Sequence, residues 1–164
     1  MKLKQIFYLI AALVVILGFA GFLKSKQPAE SATAPPYQSS AVAASETFYD
    51  FGSVPINGGK VTKIFKVKNN SETKVTVKEM HTSCMCTEAS LKLGDQSFGP
   101  FGMPGHASMP QINAAFPAQS EAEIEVVFDP AAHGPAGIGV IERLVTLETS
   151  DGKLQLSIKA SVIP

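Results

Sequence analysis

Thiol, thioether and imidazole groups crowd into one short stretch of this chain. In Met80-His81-Thr82-Ser83-Cys84-Met85-Cys86, five of seven residues carry one of them, and Cys84 and Cys86 are its only cysteines. A second group follows in Met103-Pro104-Gly105-His106-Ala107-Ser108-Met109, and His133 is the last histidine. Such soft-to-borderline donors suit Cu(I) and related metals. In an extended segment residues i and i+2 point the same way, so Cys84 and Cys86 offer two sulfurs to one ligand. Two thiolates suit the low coordination number of Cu(I), whereas a tetrahedral zinc site needs two further donors. His81, Met103, His106, Met109 and His133 are the candidates to complete a site, and copper is the expected metal.

Other chemistries fit the same residues. Outside the cytoplasm two cysteines most often form a disulfide. A bridge between i and i+2 is strained, and strained bridges are the labile ones, so Cys84 and Cys86 could equally be a redox couple. Buried structural thiols are the third reading. Met103 and Met109 also fit as gap-fillers under a loop, His133 as a histidine capping loop backbone, and Met80 as core. A Cys–His nucleophile would need an orienting third group that nothing in the sequence marks. No Ser-His-Asp, paired-carboxylate or phosphate-cradling pattern is present, and Gly134, Gly137 and Gly139 precede no helix start. The chain reads as a non-enzyme.

The elements that must position these residues begin with the N-terminus. Lys2 and Lys4 precede an apolar run, Ile6 to Leu23, that Lys24 and Lys26 close. As a helix it would reach about 27 Å, close to the hydrocarbon thickness of a bilayer. Signal-peptide cores are usually shorter, although Gly18-Phe19-Ala20 resembles a cleavage site. The expectation is an uncleaved membrane anchor over residues 1–24, with the body outside the cytoplasm, periplasmic or at the cell surface. Residues 25–46, rich in Pro, Ala and Ser, bury nothing periodic and read as a flexible linker. Basic and acidic residues number 14 each, so there is no electrostatic footprint for nucleic acid.

Residues 47–164 carry short alternating runs. Leu154, Leu156, Ile158, Ala160 and Val162 alternate with polar residues, as a half-buried strand does. Val145 and Leu147 lie on the strand before it, joined through Ser150-Asp151-Gly152, a tight-hairpin signal. Ile124, Val126 and Phe128 form another strand with Glu121, Glu123 and Glu125 on its wet face. Val61, Phe65 and Val67 belong to an earlier one; Asn69-Asn70-Ser71 is the turn, and Val75 and Val77 follow. No segment shows a helical repeat. The fold class is an all-β, immunoglobulin-like antiparallel β-sandwich.

Four segments carry a family resemblance. Phe48-Tyr49-Asp50-Phe51-Gly52-Ser53-Val54 is similar to the "FDFG" opening of a bacterial domain-of-unknown-function family, number fifteen seventy-three. Phe65-Lys66-Val67-Lys68-Asn69-Asn70 resembles its "F-x-h-x-N" strand end. Ser83-Cys84-Met85-Cys86-Thr87 resembles its "S-C-x-C-T" signature, and Phe128-Asp129-Pro130 a later strand and turn. The resemblance implies a hydin-type, immunoglobulin-like sandwich, secreted or membrane-anchored, and brings no established activity. Two features depart from the usual pattern: an insertion from Leu93 to Phe116, and Ala131-Ala132-His133-Gly134-Pro135-Ala136-Gly137 after Phe-Asp-Pro. A subset of the family resembles this chain in both.

The functional expectation is a membrane-tethered sandwich whose Cys-x-Cys loop and Met/His insertion bind copper. The alternatives are a structural or interaction module that meets a cell-envelope protein partner, and a thiol-redox protein using Cys84 and Cys86.

Overall fold

The computed structural model describes residues 41–106 and 110–164. The anchor expected over 1–24, most of the linker and Met109 lie outside them. Among the described residues ten strands run in chain order: β1 Val42–Ala44, β2 Phe48–Pro55, β3 Val61–Asn69, β4 Val75–Thr82, β5 Thr87–Leu93, β6 Gln96–Phe101, β7 Ala114–Phe116, β8 Glu121–Phe128, β9 Gly139–Thr149 and β10 Gly152–Ile163. They form two five-stranded sheets, one ordered β1-β3-β8-β5-β6 and the other β2-β10-β9-β4-β7. The described residues thus form an all-β sandwich.

Alternation builds the core between the sheets. Leu154, Leu156, Ile158, Ala160 and Val162 of β10 are all buried, as are Ile124, Val126 and Phe128 of β8. Phe65, Phe101, Phe116 and Met80 are the bulkiest fully buried side chains. The β9–β10 hairpin pairs Thr149 with Gly152. Its two loop residues are therefore Ser150 and Asp151, and Gly152 takes the positive φ of 133° as the first residue of β10.

Pairing starts at Val42, ahead of residue 47, where the sequence pattern begins to alternate. Val42–Ala44 pairs with Val67–Asn69 of β3; three small residues are too few to show a period. The sandwich also contains a parallel pair, β2 on β10. Its cause is that β1 and β2 run in one direction along the edges of different sheets. The inserted segment is part strand: β6 pairs back on β5, and β7 adds to the edge of β4.

The register fixes the two ends of the sandwich. Val61, Phe128 and Thr87 stand side by side at one end, where β4 passes into β5. Val42 pairs with Asn69 at the other end, and the Ala41 N–H donates there to the Asp151 carboxylate. The chain from residue 41 therefore enters opposite the cysteine turn. Between them lies roughly the length of β4, 8 residues at about 3.3 Å each.

Candidate functional site

Cys84 and Cys86 occupy the four-residue crossing from β4 to β5, which carries the chain from one sheet to the other. Ser83 fastens the entry: its N–H donates to the Leu144 carbonyl, and its hydroxyl accepts from the Leu144 N–H, both at 2.9 Å. The Thr87 N–H donates to the Cys84 carbonyl at 3.1 Å, closing a β-turn. Beneath it the buried Thr82 hydroxyl shares its proton between the carbonyls of Cys84 and Thr87, at 3.0 and 2.9 Å. The sulfurs converge because the backbone turns, not because it is extended. They lie 2.6 Å apart, both cysteines are free, and the Cys86 N–H points at the Cys84 sulfur at 3.4 Å.

A second loop closes over this turn. The Asp129 N–H donates to the Cys86 carbonyl at 2.9 Å, binding the end of β8 to the turn. Asp129 then accepts the Ala131 N–H on its own carboxylate, and a short 3-10 turn at Gly134–Gly137 leads into β9. This bend swings His133 back, so that its Nε2 stands 3.2 Å from the Cys84 sulfur. The ligand atoms of Cys84, Cys86 and His133 all lie within 4.8 Å of one another. From below, Arg143 of β9 donates through Nε to the Cys86 sulfur at 3.3 Å and through a terminal nitrogen to the Glu142 carbonyl.

These neighbours divide the two thiols. Burial raises the Cys84 thiol. The hydrogen bonds from Cys86 and His133, the Cys86 backbone N–H and the charge of Arg143 outweigh it, and the pKa falls from 9.0 to about 7. Burial raises Cys86, and so does the hydrogen bond it gives Cys84; the bonds from Arg143 and Thr87 oppose this without reversing it. Burial lowers Arg143, but its bond to the Cys86 sulfur and both sulfur charges raise it overall. Above about pH 7 the pair thus holds one proton on Cys86 and offers Cys84 as the thiolate.

The other sequence candidates lie apart from this cluster or beside it. His81 is on the outer face of β4, grouped with Glu79 and Glu148 instead of the cysteines. The Thr82 N–H donates to the Gly102 carbonyl at 3.0 Å, which sets the start of the inserted loop alongside the turn. Met103 there is half-buried, and His106 is exposed. The His106 N–H turns back on the Met103 carbonyl, and its ring is outside the three-donor cluster. Met80 is fully buried core, while Met85 is exposed at the turn.

Arg143 is the residue that the sequence reading passed over. Its signal was present: Ile141, Arg143, Val145 and Leu147 share one face of β9, and three of them are buried apolar residues. A charge in such a line needs a partner in the interior. Here the partner is a sulfur.

Strands β1 to β5, with the Ser83-Cys84-Met85-Cys86-Thr87 turn, also decide the family comparison. Residues 42–94 match the DUF1573 family, a protein of unknown function. The DUF1573 match includes both cysteines; His133 and Arg143 lie beyond it. No curated protein matches the chain. Among solved structures, the chain is similar to a protein of unknown function from Porphyromonas gingivalis W83. That likeness has a TM-score of 0.55 and 12% identity, over 74% of this chain and 46% of the other. The chain therefore spans less than half of that protein's length, and the likeness is one of fold. A family 123 glycoside hydrolase from Clostridium perfringens matches with a TM-score of 0.49 at 7% identity, over 71% of this chain and 23% of the other.

Proposed function

We propose that this chain is a membrane-anchored, extracytoplasmic copper-handling protein. It would hold Cu(I) on Cys84, Cys86 and His133 at the tip of an immunoglobulin-like sandwich. The observation that carries the reading is the convergence of two sulfurs and one imidazole nitrogen within 4.8 Å of one another. Two thiolates and an imidazole form a three-coordinate soft set of the kind Cu(I) accepts and structural zinc, with four ligands, does not. Met103, on the loop alongside, is the nearest of the inserted donors by chain position.

Three further features support the rest of the proposal. The orders β3-β8-β5 and β10-β9-β4 follow the B-E-D and G-F-C arrangement of immunoglobulin sheets. The apolar run Ile6–Leu23 has the length of a membrane span, and the described chain enters at the end opposite the cysteines. An anchored domain would hold the site outside the cytoplasm, within reach of a cell-envelope partner. The cleft beside Cys86, lined by Met85, Glu88, Asp129 and Ala132 among others, measures about 100 Å³. Organic ligand sites run to about 300 Å³ or more, so this cleft is small for an organic substrate.

The test is an anaerobic Cu(I) titration of the reduced full-length chain against a chromophoric chelator. One Cu(I) per chain, held against the chelator and lost when Cys84 and Cys86 are both replaced by serine, is the expected result. The closeness of the sulfurs, 2.6 Å, also favours a second reading as a thiol-redox pair. Absence of uptake, with both thiols found bridged in the isolated protein, would replace the copper reading with that one.

A further inference from the structure

Arg143 is a half-buried cation on an otherwise apolar line of β9. It stands on the core-facing line of β9, between buried Ile141 and Val145, and its Nε is spent on the Cys86 sulfur at 3.3 Å. Lys60, Glu88 and Asp129 also line the cleft beside Cys86, but none of them is bonded to a sulfur. Lys60 and Glu88 pair with each other at 3.8 Å, and the Asp129 carboxylate accepts from its own loop. Among the described residues, Arg143 is the cation in contact with the sulfurs.

We propose that Arg143 sets the metal preference of the site, favouring a monovalent soft cation over a divalent one through its fixed positive charge. The inference rests on the Cu(I) reading and extends it. Two thiolates with a neutral imidazole carry two negative charges. Cu(I) cancels one, and Arg143 cancels the other, so the ligands, the ion and Arg143 are neutral together. A divalent ion such as Zn(II) cancels both by itself, so Arg143 then leaves one uncompensated positive charge next to the ion in a part-buried setting. Arginine suits this task because it stays protonated under all conditions, so the bias does not switch with pH. The donor count acts in the same direction, since three protein ligands leave zinc one short.

The experiment compares wild type, Arg143→Lys and Arg143→Gln as full-length chains. The affinity of each is measured for Cu(I) alone and for Zn(II) alone, by chelator competition. Removing one unit charge at this range should lower the ratio of Cu(I) to Zn(II) affinity by about tenfold or more in Arg143→Gln. Arg143→Lys, which keeps the charge, should stay close to wild type. Should Arg143→Gln fail to fold by circular dichroism, Arg143→Leu, which fits the apolar line of β9, takes its place. A ratio unchanged in the uncharged variant overturns the inference and leaves the copper reading standing. A ratio lost equally in Arg143→Lys also overturns it, because the guanidinium shape would then matter and not the charge. A wild type that takes up no Cu(I) refutes the copper reading, and this inference with it.

Discussion

His133 Nε2 lies 3.2 Å from the Cys84 sulfur, although 49 residues separate the two in the chain. The contact exists because the Asp129 N–H is tied to the Cys86 carbonyl and the loop after β8 bends back over the turn. His133 is therefore the third donor of the proposed site, and His106 and His81 are not. In anaerobic titrations His133→Ala should weaken Cu(I) binding by about tenfold or more, the scale on which disturbed ligand support lowers metal affinity. His81→Ala should bind as wild type, because His81 faces Glu79 and Glu148. His106→Ala should do the same. Equal losses in all three variants would contradict this assignment.

The two thiols should separate in a pH titration of alkylation. Cys84, with its pKa lowered to about 7, is a thiolate above that pH and loses reactivity as the pH falls through it. Cys86 is raised and should react only at higher pH. Iodoacetamide labelling of the reduced, metal-free protein, read by mass spectrometry of the two sites, checks this order. Removal of His133 takes away one of the bonds that favour the Cys84 thiolate, so His133→Ala should shift its midpoint upward. A shared midpoint for both cysteines, near the ordinary thiol value, would show that these contacts do not act in solution.

The strands that sequence reveals are those with one buried and one wet face. In β10 every second residue is apolar and buried, and β8 repeats the pattern against its row of glutamates. β6 could not be read this way, because Gln96 to Pro100 are largely exposed and only Phe101 is fully buried. β1 and β7 have three residues each, too few for a period. At the site, the Cys-x-Cys pair stood out by residue type. Its geometry did not, since a β-turn and not a strand brings the sulfurs together. The partners of the cysteines are remote in sequence and depend on loop closure and strand register. His133 was visible as a donor without a place, and Arg143 was not singled out at all.

Thr82 carries the shape of the cysteine turn. It is 1% exposed, and its hydroxyl serves the carbonyls on both sides of the turn, those of Cys84 and Thr87. Thr82→Val keeps the volume and removes the proton, leaving buried carbonyls short of a donor at a cost of about 1–3 kcal/mol. Thermal unfolding of the metal-free protein should show this loss, and Thr82→Ser should recover most of it. Because the turn loosens, Thr82→Val should also bind Cu(I) more weakly than wild type. A variant as stable as wild type would mean that the hydroxyl is dispensable.

Asn69 provides the matching test at the opposite end of the sandwich. Its side chain is fully buried, and its amide nitrogen lies 2.9, 3.1 and 3.0 Å from the carbonyls of Thr73, Phe116 and Pro117. Its oxygen accepts the Ser71 N–H at 3.0 Å. One residue thus ties the β3–β4 turn to the end of β7, across the boundary between the two sheets. Asn69→Ala strands several buried polar groups at once, and each such group costs about 1–3 kcal/mol. Its melting temperature should therefore fall more than that of Thr82→Val. The site lies a strand's length away and shares no partner with Asn69, so the folded Asn69→Ala protein should keep the wild-type Cu(I) affinity at low temperature. Loss of Cu(I) binding in a variant that circular dichroism shows to be folded would mean that the two ends of the sandwich are coupled, and that metal affinity reports on the whole fold and not on the turn alone.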